Sequence, residues 1–189
     1  MPMGSRETGT ALAAIFMAIA CVHQSHAQSF FALQAEVAEP TASFRDAAAT
    51  GYGAQGIYIH YVSPHFAVTG SAGVVTWGPR IDSPPYTDYK LVSVPVTLGG
   101  NLLLSRGVIA PYLGVSLGIN YLRIRGTAPN STVYTDESEL KFTLSPQVGV
   151  GVYIVGPVGL LVTGSYNIIY TPGTPSRYFG LNAGIAVGL

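Results

Sequence analysis

The chain has 189 residues, with nine Lys and Arg against nine Asp and Glu, and so no formal net charge. That balance supplies no basic patch for nucleic acid, and the length suits one domain. Only 10% of residues are charged, far below the roughly 25% of ordinary soluble domains. Past the N-terminus no stretch runs ~18 residues without polar interruption, which excludes transmembrane helices.

The first element in chain order reads as a targeting segment. Arg6 supplies a positive charge, Ala11 to Val22 is an apolar run, and Ser25-His26-Ala27 ends it with small residues at the −3 and −1 positions. The pattern predicts a signal peptide over 1–27, cleaved before Gln28, with a short membrane anchor as the alternative. Cys21 is the only cysteine, and Ala18-Ile19-Ala20 before it lacks the Leu of a lipoprotein site. Cleavage after Ala27 leaves neither disulfides nor thiol chemistry.

From residue 28 onward the signal is alternation at period 2. It predicts eight strands, roughly 29–39, 50–62, 66–78, 89–104, 108–124, 139–154, 157–171 and 177–189. The second has no clear parity, since Tyr52 to Val62 is apolar on both faces. In the fifth, Leu113, Val115, Leu117, Ile119 and Tyr121 share one face and Gly114, Ser116, Gly118 and Asn120 the other. The sixth sets Phe142, Leu144, Val148 and Val150 against Lys141, Thr143, Ser145 and Gln147. The eighth sets Phe179, Leu181 and Ile185 against Gly180, Asn182 and Gly184.

Connections alternate in length. Ser63-Pro64-His65, Ser105-Arg106-Gly107 and Val155-Gly156 are tight turns, whereas 40–49, 79–88, 125–138 and 172–176 are longer and rich in Pro, Gly, Ser, Thr and Asp. Of the charged residues beyond Gln28, only Arg106 falls on the short-turn rim. A soluble barrel needs a charged exterior, and here the repeated face is apolar while its opposite is Gly, Ser, Thr, Asn and Gln. This inside-out pattern predicts an all-β fold: a closed antiparallel transmembrane β-barrel, an up-and-down meander of about eight strands over 28–189. Tyr121, Tyr166, Tyr170 and Phe179 fall where an aromatic girdle belongs. Pro95 and Pro146 interrupt strands four and six, so bulges or shifted boundaries are expected there.

Few residues suggest chemistry. Gly51-Tyr52-Gly53-Ala54-Gln55-Gly56 matches a dinucleotide motif, but strand-like Ile57 to Val62 follows where a helix is required, so close packing in a barrel wall is the better reading. His60 and His65 lie at the short-turn rim, away from the loop carboxylates that a lipid-modifying Ser-His-acid site needs, and two histidines are too few for a metal. Asn130-Ser131-Thr132 is a sequon by pattern only, and Asp136, Glu137 and Glu139 read as a solvated acidic loop rather than a calcium cluster. No catalytic residue, metal or cofactor is expected. The polar face carries the candidate lumen residues Glu36, Asn120, Lys141 and Gln147; Glu36 and Lys141 are expected to pair with each other or with water.

The runs Val94-Pro95-Val96-Thr97-Leu98-Gly99, Ala110-Pro111-Tyr112-Leu113-Gly114-Val115-Ser116-Leu117-Gly118 and Tyr178-Phe179-Gly180-Leu181-Asn182-Ala183-Gly184 resemble the outer membrane protein β-barrel domain family, small barrels of the OmpA/OmpX type. The likeness covers essentially 28–189. It implies an outer-membrane location, insertion by the barrel-assembly machinery, a lipopolysaccharide leaflet around the loop rim and a monomeric state. Such chains usually end in an aromatic residue; this one ends in Leu189. Three functions stay open: a non-enzymatic barrel acting through its surface loops or for envelope integrity, a narrow solute channel, and a lipid A-modifying enzyme.

Overall fold

The computed structural model describes residues 29–80, 87–127, 134–171 and 173–189. The segment 1–27 read as a signal peptide lies outside them, as does the sequon at 130–132. Eight strands, β1 (Ser29–Thr41), β2 (Gly51–Ser63), β3 (Phe66–Trp77), β4 (Thr87–Leu103), β5 (Ile109–Thr127), β6 (Tyr134–Val155), β7 (Val158–Tyr170) and β8 (Ser176–Gly188), follow one another around a closed barrel. Every pairing is antiparallel, and β1 closes against β8 with Phe30 opposite Gly188 and Thr41 opposite Arg177.

The alternation in sequence becomes the two faces of the wall. In β1, Phe31, Leu33 and Val37 are exposed while Phe30, Ala32, Gln34 and Glu36 are buried. In β5, Leu113, Val115, Leu117 and Ile119 point outward, and Tyr112, Ser116 and Asn120 point into the lumen. An apolar belt with Leu98 at 71% and Leu33 at 63% exposure is far more than a water-soluble monomer carries. It is the exterior of a transmembrane barrel, whose closure leaves no unpaired edge in hydrocarbon. Aromatics gather on the outward face toward the long loops, where Tyr166 meets Phe179 at 5.1 Å and Phe142 meets Tyr170 at 5.7 Å between ring centroids.

Four readings from sequence are corrected or sharpened. First, neither proline causes a bulge. Pro95 stays in register opposite Asn120, and Pro146 opposite Val115. Each instead opens a gap on its other side: β3–β4 pairing resumes at Val75 and Ser93 in the register it had at Ala72 and Val96, and β6–β7 does the same between Leu144–Ile168 and Gln147–Ser165. A proline lacks one N–H, which points to one neighbour only, so the loss is one-sided. Second, much of 125–138 is strand: pairing runs on to Thr127 opposite Tyr134. Third, the connection after β1 contains one helical turn, α1 (Phe44–Ala47), which drops Phe44 into the barrel mouth. Fourth, the parity of β2 is settled: Ile57, Ile59 and Tyr61 face inward, and Tyr52 and Tyr58 outward.

Candidate functional site

The lumen is layered along the barrel axis rather than uniformly polar. Toward the short-turn rim, Phe30, Ile59, Leu103, Tyr112 and Leu161 form an apolar layer, with Phe30 edge-on to Tyr61 at 5.7 Å and to Tyr153 at 6.0 Å. Toward the long-loop rim, Trp77 is the centre of a second layer, edge-on to Tyr178 at 5.1 Å and to Phe44 at 5.5 Å, with Ile169 and Leu91 packed beside them. A cavity of about 100 Å³ runs from the polar middle through the layer at the short-turn rim, with Phe30, Ile59 and Tyr112 in its wall beside Gln55 and Asn120, and has room for several waters.

The polar part of its wall is made of amides and hydroxyls joined across the barrel. Gln55 donates from Nε2 to Gln34 Oε1 at 3.2 Å and to Asn182 Oδ1 at 2.9 Å. Gln34 donates in turn to the Leu161 carbonyl at 3.0 Å, passing over β8. Tyr112 and Thr163 share a 2.6 Å hydroxyl contact across β6. An eight-stranded barrel is narrow enough for side chains to reach across it, and these do.

Of the four polar candidates, three line the cavity. Asn120 is buried and accepts at Oδ1 from Ser93 Oγ at 2.6 Å. Gln147 donates from Nε2 to Asn101 Oδ1 at 2.8 Å, reaching past β5. Glu36 is 6% exposed and sits opposite Gly53 on β2 and Asn182 on β8. The fourth, Lys141, is not brought to Glu36. Its Nζ contacts Glu139 Oε2 at 2.6 Å, two residues back on the same strand, because β7 and β8 separate β6 from β1. Of the two outcomes expected for Glu36 and Lys141, direct pairing with each other does not form.

Glu36 has no ion pair and no side-chain hydrogen bond among the described residues. One point locates its carboxyl: a Cβ placed on Gly180 would lie 2.6 Å from Glu36 Oε1, 2.7 Å from Ser165 Oγ and 3.1 Å from Asn167 Nδ2. These atoms fill the space a side chain at 180 would need, so a carboxylate, a hydroxyl and an amide N–H converge on Gly180 beside Tyr178. The signal in sequence is Gly180 between Tyr178 and Asn182 on the inward face.

Sequence reasoning missed a polar contact on the barrel exterior. Pairing of Ser29 with His60 sets Ser29 Oγ 3.0 Å from His60 Nδ1, and Tyr58 donates its hydroxyl to the same Ser29 oxygen at 2.9 Å. The cluster sits at the short-turn rim. No Asp or Glu side chain joins it among the described residues, so it lacks the group that orients a catalytic histidine. The glycines of the dinucleotide-like run are wall packing: a Cβ on Gly51 would meet the Trp77 ring at 2.5 Å, and one on Gly53 would run into the Val74 carbonyl.

No protein-family model and no curated protein matches the chain. Solved structures do. Neisserial surface protein A superposes with a TM-score of 0.60 at 20% identity, over 86% of this chain and 99% of that one. Ail, the attachment invasion locus protein of Yersinia pestis, gives 0.52 at 15% identity over 85% and 97%. The N-terminal β-barrel domain of Pseudomonas aeruginosa OprF gives 0.52 at 16% identity over 85% and 99%. The fold is that of small eight-stranded outer-membrane barrels. At such identities the likeness carries the fold and not the role.

Proposed function

We propose that this chain is a non-enzymatic integral outer-membrane protein that acts through its outer loops, by surface contact or by supporting the envelope. The observation that carries the reading is the inside-out wall, with an apolar belt outside and charge gathered at one rim. In this reading residues 1–27 are a signal peptide, 28–189 the barrel domain, and the short turns face the periplasm. The barrel-assembly machinery inserts it, and it works as a monomer in bilayer lipid, with lipopolysaccharide around its loop rim.

Two features favour this reading over the alternatives. The apolar side chains that narrow the lumen toward both rims disfavour a solute channel, because an apolar narrowing opposes ion passage. The lone Ser29–His60 contact, without an acid and away from the long loops, disfavours lipid A chemistry. The fold neighbours include a surface protein and one named for attachment and invasion, and a loop-mediated role for this chain is in keeping with them.

The test compares cells carrying the protein with cells carrying a version from which residues 128–133 are removed. Lower surface attachment or greater detergent sensitivity in the trimmed cells is the expected result. Unchanged values for both, beside a lipid A mass spectrum that changes with the protein, would replace this reading with the enzymatic one.

A further inference from the structure

We propose that the short-turn end of the lumen is a binding pocket for a small neutral amphiphile, a straight-chain alcohol of roughly five carbons. Its hydroxyl is held between Asn101 and Gln147, and its tail lies among the apolar side chains toward the short-turn rim.

The cavity has a closed end and an open one. Toward the long-loop rim it stops at Tyr178, which is buried against Trp77. Toward the short-turn rim its wall ends in Tyr153, 36% exposed, beside Phe30 at 5%. Entry is therefore from the short-turn side. An engineered cavity of ~150 Å³ takes benzene. The cavity here, of about 100 Å³, suits a molecule of roughly five or six heavy atoms.

The wall changes character one step inside the mouth. Leu103 belongs to the apolar layer, and the next inward residue on β4 is Asn101, opposite Ala67 on β3 and Gly114 on β5. Gln147 lies opposite Gly114 from the other side and donates across it to Asn101 Oδ1 at 2.8 Å. That bond uses one half of each amide. It leaves Asn101 Nδ2 as a donor and Gln147 Oε1 as an acceptor, neither hydrogen-bonded among the described residues, and both residues line the cavity. A hydroxyl answers both at once, accepting from Asn101 and donating to Gln147. Apolar walls with a few placed polar groups are the usual build of a small-molecule site.

Charge narrows the class. No Lys, Arg or His side chain lines the cavity among the described residues, whereas Glu36 does. A carboxylate ligand would find no cation there and would lose its hydration without replacement. A neutral head avoids that cost, while the tail takes apolar surface of Phe30, Leu103 and Leu161 out of water.

The test is NMR of the full barrel in lipid nanodiscs, titrated with n-pentanol and, separately at neutral pH, with n-pentanoate. The blocking variant is Gly151→Val. Gly151 lines the cavity between Ala110 and Leu161, and a Cβ there meets only the Ala110 carbonyl oxygen, at 3.9 Å, so the wall has room for a side chain that fills the pocket. The expected result is saturable shifts of the Asn101 and Gln147 side-chain amides with n-pentanol, at least tenfold weaker binding of n-pentanoate, and no saturable shift in Gly151→Val. Shifts that never saturate and match those of lipid-facing Leu117 would mean that the alcohol dissolves in the bilayer only, and would overturn the site. Equal binding of n-pentanoate, or an unchanged response in Gly151→Val, would overturn it as well. Should Gly151→Val fail to fold, the wild type decides: nuclear Overhauser contacts from the n-pentanol methyl to Leu103 and Leu161 support the pocket, and their absence defeats it.

Discussion

Gly184 and Gly151 both face the lumen, and they answer to different constraints. A Cβ on Gly184 would collide with the Leu33 carbonyl and approach Gln34 Cα to 2.6 Å, both backbone atoms of the neighbouring strand. On Gly151 the nearest atom is the Ala110 carbonyl oxygen at 3.9 Å. Gly184→Ala is therefore expected to cost about 1–3 kcal/mol and Gly151→Ala close to nothing, read as urea midpoints in lipid vesicles. The wall's two faces make a second pair. Leu117 is 48% exposed toward lipid and Ser116 is buried in the lumen. Arginine on the lipid face near mid-membrane costs about 2–4 kcal/mol in such barrels, so Leu117→Arg should lower the midpoint more than Ser116→Arg, with the two Gln variants separating bulk from charge. The reverse ranking would belong to a soluble barrel. At this scale the sequence is legible for direction and not for depth: alternation says that Glu36 and Lys141 point inward, but which strands part them depends on the order around the barrel.

The strands show the same division. Their number and order were legible because alternation persists over a dozen residues and the turns are marked by Gly, Pro and Ser. The β5–β6 extension was not, since Arg125, Asp136 and Glu137 give that stretch the composition of a loop. A membrane crossing takes about 9–11 residues of tilted strand, whereas β5 has 19 and β6 has 22. The surplus carries the hairpin past the bilayer on the long-loop side. An epitope inserted at Asn130 should be reached by antibody on intact cells, and one at Arg106 should not; opposite labelling would invert the topology. The prolines were legible as anomalies, but their remedy was not. Where Pro146 opens the β6–β7 ladder, Ser145 donates its hydroxyl across the gap to Asn167 Oδ1 at 2.7 Å, and beside the Pro95 gap Ser71 meets Thr97 at 2.8 Å. Side-chain bonds stand in for the missing backbone ones. Ser145→Ala should cost about 1 kcal/mol, with faster amide exchange confined to β6 and β7; exchange unchanged there would remove the role assigned to this bond.

For the whole molecule the question is whether the barrel conducts, and the order of layers along the axis bears on it. Periodicity told inside from outside but averaged over depth, so the inward face read as Gly, Ser and Asn throughout. The apolar ends were hidden in β2, whose doubly apolar run gave no parity, and in aromatics such as Trp77 and Tyr178 that close a mouth rather than join a girdle. The two layers act in series: an ion must pass both, and either one left dry blocks the path. Wild-type protein in planar bilayers is thus expected to show no steady single-channel steps. Phe30→Ala with Tyr61→Ala opens only the layer at the short-turn rim, and Trp77→Ala with Phe44→Ala only the one at the long-loop rim, so each pair alone should stay silent. All four substitutions together should give small steps, provided circular dichroism still reports a folded barrel. The polar middle would then be wetted from both ends, and its buried carboxylate, Glu36, should make those steps cation-selective. Steady steps from the wild type would show that one continuous water path already exists, and steps from either pair alone would show that the other layer is no barrier.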